Sequence, residues 1–459
     1  MQSKIGVYGL GAMGSNIALN IANKGFPVSV YNQMIEGNSR IVEDFLSKNN
    51  SANIRGFSDI QEFISSLEQP RKVLIMVTAG LAVDEVVQQI VSYMDSNDIV
   101  IDGGNSNYLD TQSRAKKYNV RYLGCGISGG WYGALHGPSM MVGGEYGAWT
   151  EVRDILQEIS SKRDSGSACC QWFGGAGAGH FVKMVHNGIE YAMMQSIAEA
   201  YDVLRNVLRL SNLEISAIFK KWNNQELDSY LMKISSDVLL IKDKSSYLID
   251  NVIDRSGQKG TGIDFATCAL KYGVSASTII AAIDARFVSF SEHRLRTKSK
   301  YEFLNYEQNS GLILNGLRDG IYCAYLIAFF QGMSLIQRVS DEQSWDIGLD
   351  EVSLVWEEGC ILKSNLFKNL SEYLTPRLSA QVFLQEDIES RIRGLSQIIS
   401  LLLPSGIPMP VLSASLNFYN SIRSEKLPAS LIQLQRECFG SHGFEKIDSP
   451  EELSYFSMD

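Results

Sequence analysis

Four side chains in the stretch GGAGAGHFVKMVHNGIEY (174–191) have types and spacing suited to moving protons. Lys183, His186, Asn187 and Glu190 stand at i, i+3, i+4 and i+7. A helix of 3.6 residues per turn places them on one stripe. The preceding glycines let a ligand come close. Lysine ordinarily keeps its proton up to a pKa of about 10.4. In a dry cleft it can lose that proton and serve as a base. Glutamate in the same cleft can stay protonated and serve as an acid. Lys183 and Glu190 are two turns apart, roughly 10 Å along the axis, a separation suited to opposite ends of a small sugar acid. The competing reading is the solvated face of an amphipathic helix, with Val182, Met184, Val185, Ile189, Met193 and Met194 on the other faces. A metal site is not expected, because His180 and His186 are the only neighbouring histidines and no HExxH spacing occurs.

Other glycine-rich turns could complete a cleft. IDGGNSN carries Asn105 and Ser106, and GCGISGGWYG carries Ser128, Gly129 and Gly130. Both can offer N–H and hydroxyl donors to a carboxylate, or be tight turns and nothing more. SGQKGTG places Lys259 and Thr261 in a loop suited to a phosphate. Arg286, in a helical run, is by itself as consistent with a surface or salt-bridged arginine.

Gly9, Gly11 and Gly14 form GLGAMG directly after a strand pattern and at the start of a helix pattern. In that setting the motif predicts a dinucleotide fold, with the pyrophosphate at the helix N-terminus. The second strand ends in Asn32, Gln33 and Met34. An acidic residue there would hold the ribose 2′-hydroxyl of NAD, and an arginine the 2′-phosphate of NADP. Neither is present. Asn32 could bond either form, and Arg40 could reach a phosphate or lie in solvent. The choice between NAD and NADP stays open.

These residues need elements to hold them. Apolar runs at Ile5–Tyr8, Val28–Tyr31, Val73–Val77, Ile99–Asp102 and Tyr122–Gly124 predict strands. They alternate with helical patterns such as Ser15–Lys24 and Ala82–Met94, which implies βαβ units and a mostly parallel sheet. After Gly179 strand signals nearly vanish and long helical patterns run to about Pro404. The fold expected is an α/β Rossmann-type N-terminal domain (1–177), a large all-α duplicated domain (178–427) and a C-terminal tail (428–459). The duplication rests on Asn187-Gly188-Ile189 and Asp319-Gly320-Ile321, each read as opening a long apolar helix, with Trp222 and Trp356 following. In that pairing Asn315, Asp319 and Tyr322 fall opposite Lys183, Asn187 and Glu190, so chemistry belongs to the first copy. A frayed end is the default for the tail.

The chain has 459 residues, 41 basic against 51 acidic side chains and a formal charge of −10. That balance argues against a general nucleic-acid binder, yet leaves room for a small anion held by local cations. The seven cysteines, with Cys169 and Cys170 adjacent and the rest scattered, fit a reduced cytoplasmic compartment better than a disulfide framework. No signal peptide is read at MQSKIGVYGLGAMG, and the apolar run Ile321–Phe330 is half of what a membrane span needs. A soluble, cytoplasmic protein is expected.

The stretches IDGGNS, ISGG, GHFVKMVHNGIEY, ELDSYL, GQKGTG and LPASLIQLQRECFGSH resemble the decarboxylating 6-phosphogluconate dehydrogenases of the β-hydroxyacid dehydrogenase superfamily. The resemblance covers nearly the whole chain. It implies oxidation of 6-phosphogluconate to ribulose 5-phosphate and CO2, in the pentose phosphate pathway, with NADP or NAD as oxidant. Lys183 would take the C3 hydroxyl proton, and Glu190 would protonate the enediol at C1. Asn105, Ser128, Gly129, Gly130, His186 and Asn187 would hold the sugar acid. Tyr191, Lys259, Thr261 and Arg286 would bind its phosphate, with Arg436 and His442 from the tail of a partner subunit, making an obligate homodimer. The cofactor would lie along Gly9, Leu10, Gly11, Ala12, Met13 and Gly14, then Asn32, Gln33 and Met34, with Val77, Thr78, Ala79 and Asn105 beside it.

The chain departs from the family pattern at several places. Gln33 and Met34 stand where NADP users carry Arg and Thr, and Thr78 replaces a lysine. Trp131 and Tyr132 replace two glutamates after ISGG, and Ile263-Asp264 replaces a tryptophan after KGTG. Two other readings follow from these departures: a divergent relative oxidising another sugar acid, or a non-catalytic nucleotide-binding homologue.

Overall fold

The computed structural model describes residues 2–33, 40–49, 51–295, 309–375, 377–447 and 449–453. They form two compact units, residues 1–415 and 416–459.

The first unit opens on an eight-stranded sheet. Its strands are β1 (Ile5–Tyr8), β2 (Val28–Tyr31), β3 (Ile54–Phe57), β4 (Lys72–Ile75), β5 (Ile99–Asp102), β6 (Arg121–Ser128), β7 (Ser139–Gly144) and β8 (Cys170–Trp172), in the order β3-β2-β1-β4-β5-β6-β7-β8. The strands from β3 to β6 are parallel, β7 runs antiparallel to β6, and β8 is parallel to β7. Continuous apolar runs such as Ile5-Gly6-Val7-Tyr8 are buried along their length, as sheet strands covered on both faces must be. One core lies on each face. Val7, Val30, Leu74 and Ile101 belong to one; Tyr8, Tyr31, Ile75 and Val100 belong to the other.

β1 sits between β2 and β4, so the chain order reverses there. The crevice outside the carboxyl ends of β1 and β4 is where open α/β sheets bind ligands. Register carries the same edge across the sheet: Tyr8 pairs with Ile75, Ile75 with Asp102 and Asp102 with Gly124.

Three strands of this sheet were not foreseen. β3 carries Arg and Gly and is only half-buried over most of its length, β7 ends in two glycines, and β8 has three residues. β4 begins and ends earlier than expected, and β6 runs on to Ser128, past the expected Gly124.

Helices dominate after residue 177. The helix Ala178–Asn206 lies directly on β6 and β7 because glycines let the backbones close. A Cβ on Gly126 would stand 2.3 Å from Lys183 Cβ, and one on Gly179 would stand 2.3 Å from the Met141 carbonyl oxygen. Asn187-Gly188-Ile189 and Asp319-Gly320-Ile321 lie inside their helices rather than at the openings. Asn187 and Asp319 are nine residues beyond the first residue of Ala178–Asn206 and Ser310–Gln343, respectively. Trp222 is the penultimate residue of the following helix, Asn212–Asn223, and Trp356 is the C-cap of the helix after Ser310–Gln343, Leu349–Val355. The equal register supports duplication. The helix Ser310–Gln343, unlike its apolar run, is long and apolar enough to cross a membrane by length and composition. Its most apolar window is 78% buried inside the protein, as befits a core helix.

The second unit contains a helix, Ala429–Gly440, and an antiparallel ribbon of Phe444–Lys446 with Ser449–Leu453. The tail is thus built of regular elements where fraying was the default.

Candidate active site

The helix Ala178–Asn206 carries the proposed stripe, and the stripe is not a solvated face. Lys183 is 6% exposed, His186 0% and Asn187 8%. Lys183 Nζ donates to Asn187 Oδ1 at 2.8 Å and lies 3.2 Å from His186 Nδ1. His186 Nε2 is 3.0 Å from Ser128 Oγ, and its Nδ1 is 3.7 Å from Glu190 Oε2. The Trp356 indole meets the imidazole edge-on at 5.6 Å. Because His186 Nδ1 lies 3.2 Å from Lys183 Nζ and 3.7 Å from Glu190 Oε2, those two groups are no more than about 7 Å apart. The roughly 10 Å axial separation expected from the helix is therefore closed by the side chains, which converge on one centre.

Burial sets the protonation states. It pulls the Lys183 ammonium below the ordinary lysine value, with Glu190 and Cys360 partly opposing. It pushes the Glu190 carboxyl above the ordinary glutamate value, against the charges of Lys183 and Arg286. His186 is driven well below its usual value by burial and then by Lys183, so it is a neutral imidazole at neutral pH. A base and an acid thus share a dry site with a neutral hydrogen-bonding ring between them.

A pocket opens onto this centre, lined by Asn105, Ser106, Asn107, His180, Lys183, Met184, Asn187, Thr261 and Asp264. Asn105 is exposed at its rim. Ser106 was expected to offer its hydroxyl to a ligand; instead it donates to the buried Asp102 carboxylate at 2.7 Å. Asp102 also takes the Gly104 N–H and the Tyr122 hydroxyl, and so holds the Gly103–Ser106 turn in shape. His180 is likewise spent on Thr111 and the Asp102 carbonyl. Asn107, which caps the helix Tyr108–Lys117, lines the pocket without having been singled out beforehand. Asp264, in the first turns of the helix Thr261–Lys271, was noted only as a departure, since no motif marks it.

Gly129 caps the helix Gly130–His136 in a left-handed conformation, φ +107°, with no room for a side chain against the Gly359 carbonyl. That turn directs Ser128 at His186. Trp131 and Tyr132, next in the helix, are 63% and 59% exposed.

Tyr191 is buried, and the Arg286 guanidinium stacks 3.6 Å above its ring while donating to the Gly257 carbonyl. Lys259 is exposed beside Gly260, and Thr261 is the first residue of its helix. The same unit therefore gathers Tyr191, Arg286 and the Lys259–Thr261 turn. Arg436 and His442 belong to the second unit, where both are exposed and Arg436 Nη1 donates to Gln433 Oε1 at 3.2 Å.

The glycine loop after β1 fits a dinucleotide. Gly9 takes φ +102°, and a Cβ on Gly14 would stand 1.9 Å from the Gly9 carbonyl oxygen. A Cβ on Gly11 would meet nothing within 4 Å, so the space before the helix Ala12–Asn23 is open at its N-terminus. Leu10, Ala12 and Met13 complete that turn. Asn32, expected to face the cofactor, accepts the Leu10 N–H at 2.9 Å and donates to the Gln33 carbonyl, which fixes the loop. Val77, Thr78 and Ala79 follow β4, with Thr78 and Ala79 exposed. Arg40 is exposed and paired with Glu43 at 3.0 Å. Met34 lies outside the described residues. Among the described residues no three His, Cys, Asp or Glu side chains are grouped to hold a metal.

Residues 4–174 match the family model for the NAD binding domain of 6-phosphogluconate dehydrogenase, and residues 179–456 match that for the 6-phosphogluconate dehydrogenase C-terminal domain. The decarboxylating 6-phosphogluconate dehydrogenase of Haemophilus influenzae is 39% identical, with 98% of this chain and 95% of that protein covered. The NADP(+)-dependent, decarboxylating enzyme of Bacillus subtilis is 40% identical over 97% of both. Among solved structures, the 6-phosphogluconate dehydrogenase of Plasmodium falciparum, studied with its cofactor NADP+ and its substrate 6-phosphogluconate, superposes with a TM-score of 0.91 at 35% identity. The match covers 98% of this chain and 99% of that one. The chain belongs to the 6-phosphogluconate dehydrogenase family.

Proposed function

We propose that the protein oxidises and decarboxylates 6-phosphogluconate to ribulose 5-phosphate and CO2, with NADP as the oxidant. The observation that carries this reading is the centre formed by buried Lys183, His186 and Asn187 with part-buried Glu190, of which Lys183 and Asn187 line the pocket. The full-length likeness to the Bacillus subtilis enzyme, named for NADP dependence, supports the cofactor. Gly9–Gly14 would hold the pyrophosphate on N–H groups and the helix N-terminus. Gln33, Thr78, Ala79 and Asn105 would border the rest. When bound, the nicotinamide supplies a hydride acceptor.

The chain's own residues do the proton work. Lys183, whose burial favours the neutral amine, takes the proton of the substrate's C3 hydroxyl as that carbon is oxidised. Asn187 and His186 hold the lysine Nζ toward that hydroxyl. The 3-keto acid then loses CO2, because the ketone accepts the electron pair released from the broken bond. As that bond breaks, protonated Lys183 returns its proton to the ketone oxygen. Glu190, whose carboxyl burial pushes above the ordinary glutamate value, then delivers a proton to C1 of the enediol while Lys183 takes up the proton of the neighbouring hydroxyl. Ser128, Gly129, Gly130 and Asn105 would bind the carboxylate end, and Tyr191, Lys259, Thr261 and Arg286 the phosphate.

The same proposal includes a cytoplasmic homodimer whose tail gives Arg436 and His442 to the partner's site, and a division of each chain at residues 177 and 427. The helix start at Ala178 and the exposure of both tail residues support it. Steady-state kinetics with 6-phosphogluconate and each of NADP and NAD test the reading. Turnover with NADP is expected; none with either nucleotide would refute it.

A further inference from the structure

The pocket beside Lys183 contains an acidic side chain that the proton-transfer scheme does not use. Asp264 stands one turn into the helix Thr261–Lys271 and lines the pocket together with Lys183, Asn187 and Thr261. Its other neighbours there are nearly all neutral. Asn105, Asn107, Asn187 and Thr261 offer amides and a hydroxyl, while Ser106 and His180 are spent on Asp102 and Thr111. Among the described residues, Lys183 is the pocket's one basic amine and Asp264 its one carboxylate. Partial burial and the nearby Asp110 push the Asp264 carboxyl above the ordinary aspartate value, with the Asn107 side chain partly opposing them by hydrogen bonding. A carboxylate has about four acceptor sites and donates nothing when ionised, so one Asn107 amide leaves acceptor capacity facing the pocket.

An acidic group in a pocket for an anion costs affinity unless it meets a donor. The donors that a polyhydroxy acid brings are its hydroxyls. Those between the reacting carbons and the phosphate end would run from Lys183 toward Thr261, and Asp264 lines the pocket with both.

We propose that Asp264 is a specificity-determining residue that accepts a hydrogen bond from a mid-chain hydroxyl of the sugar acid. This rests on the substrate reading above. It would make the site select for a hydroxylated chain, because the part-buried Asp264, once a ligand covers it and shuts out water, is an acceptor left without a donor unless that ligand supplies one, which is unfavourable.

The test is titration calorimetry of the full-length protein with 6-phosphogluconate and with its 4-deoxy and 5-deoxy analogues, alongside steady-state kinetics. Asp264→Leu is expected to weaken 6-phosphogluconate binding by about 10-fold to 100-fold, the range for hydrogen bonds to charged groups. KM for the sugar acid should rise far more than kcat falls, and KM for NADP should not move. Asp264→Asn, which keeps a carbonyl acceptor and the side-chain volume, should recover part of the affinity. Wild type should discriminate against one deoxy analogue by a similar factor, and Asp264→Leu should not. Unchanged or tighter binding of 6-phosphogluconate by Asp264→Leu would overturn the inference, tighter binding marking simple repulsion. Discrimination that persists in Asp264→Leu would also overturn it. In either case turnover by wild type leaves the proposed reaction standing; a wild type that neither binds nor turns over the sugar acid would sink both.

Discussion

Lys183, His186, Asn187 and Glu190 could be picked out from residue type and spacing, but their surroundings could not. A helix stripe of polar residues is usually wet, and nothing in its own sequence reveals that Gly124, Gly126 and Gly143 of the sheet let that stripe press onto β6 and β7. Nor does axial spacing report where long side chains end, which is why the lysine and glutamate tips stand closer than their turns. Lys183→Met is expected to lower kcat by at least the roughly 10²–10⁴-fold of general acid–base catalysis, with the thermal melting transition retained; an unchanged rate would remove Lys183 as the base. Glu190 acts as an acid only while protonated, and burial raises the pH at which it ionises. Wild-type kcat/KM should therefore be bell-shaped, with limbs belonging to the coupled pair. In Glu190→Gln the fall at high pH should vanish, leaving a smaller rate that rises as Lys183 loses its proton. A persisting fall would assign that limb to another group.

Strands and helices were legible where periodicity is strong. β1, β2 and β5 fall where their apolar runs lie, and the long helices follow their patterns. β7 and β8 escaped because their stability comes from burial under neighbouring elements, not from intrinsic preference for strand. The close seat of the helix Ala178–Asn206 is the feature that aims Lys183. Gly126→Ala would push a methyl into the lysine stem at 2.3 Å. Overpacking of this kind costs about 1–3 kcal/mol, so a lower melting temperature and a lower kcat are expected together. A variant with wild-type kcat would show that the lysine position does not depend on that contact.

Across the whole chain, an acidic molecule of net charge −10 is proposed to bind two anions. The attraction must then be local, from glycine-loop N–H groups, a helix N-terminus and a few lysines and arginines. One further buried carboxyl couples distant helices. Glu199, on the helix Ala178–Asn206, accepts the Val411 and Leu412 N–H groups at 2.9 and 3.0 Å and caps the start of the helix Pro410–Arg423. Burial raises its pKa from 4.5 to about 7. The folded state therefore holds the extra proton between those values, and stability from this group falls as pH rises from about 4.5 through 7, by about 3 kcal/mol. Glu199→Gln should flatten the difference in denaturation midpoint between about pH 5 and about pH 8 relative to wild type; an unaltered difference would show that Glu199 is not the group titrating. The central claim is that one buried centre couples oxidation to loss of CO2, and its most direct test is stoichiometry. With 6-phosphogluconate labelled at C1 and NADP in excess, reduced NADP and labelled CO2 should form in equal amounts. Reduced NADP without CO2, or neither product, would contradict the account.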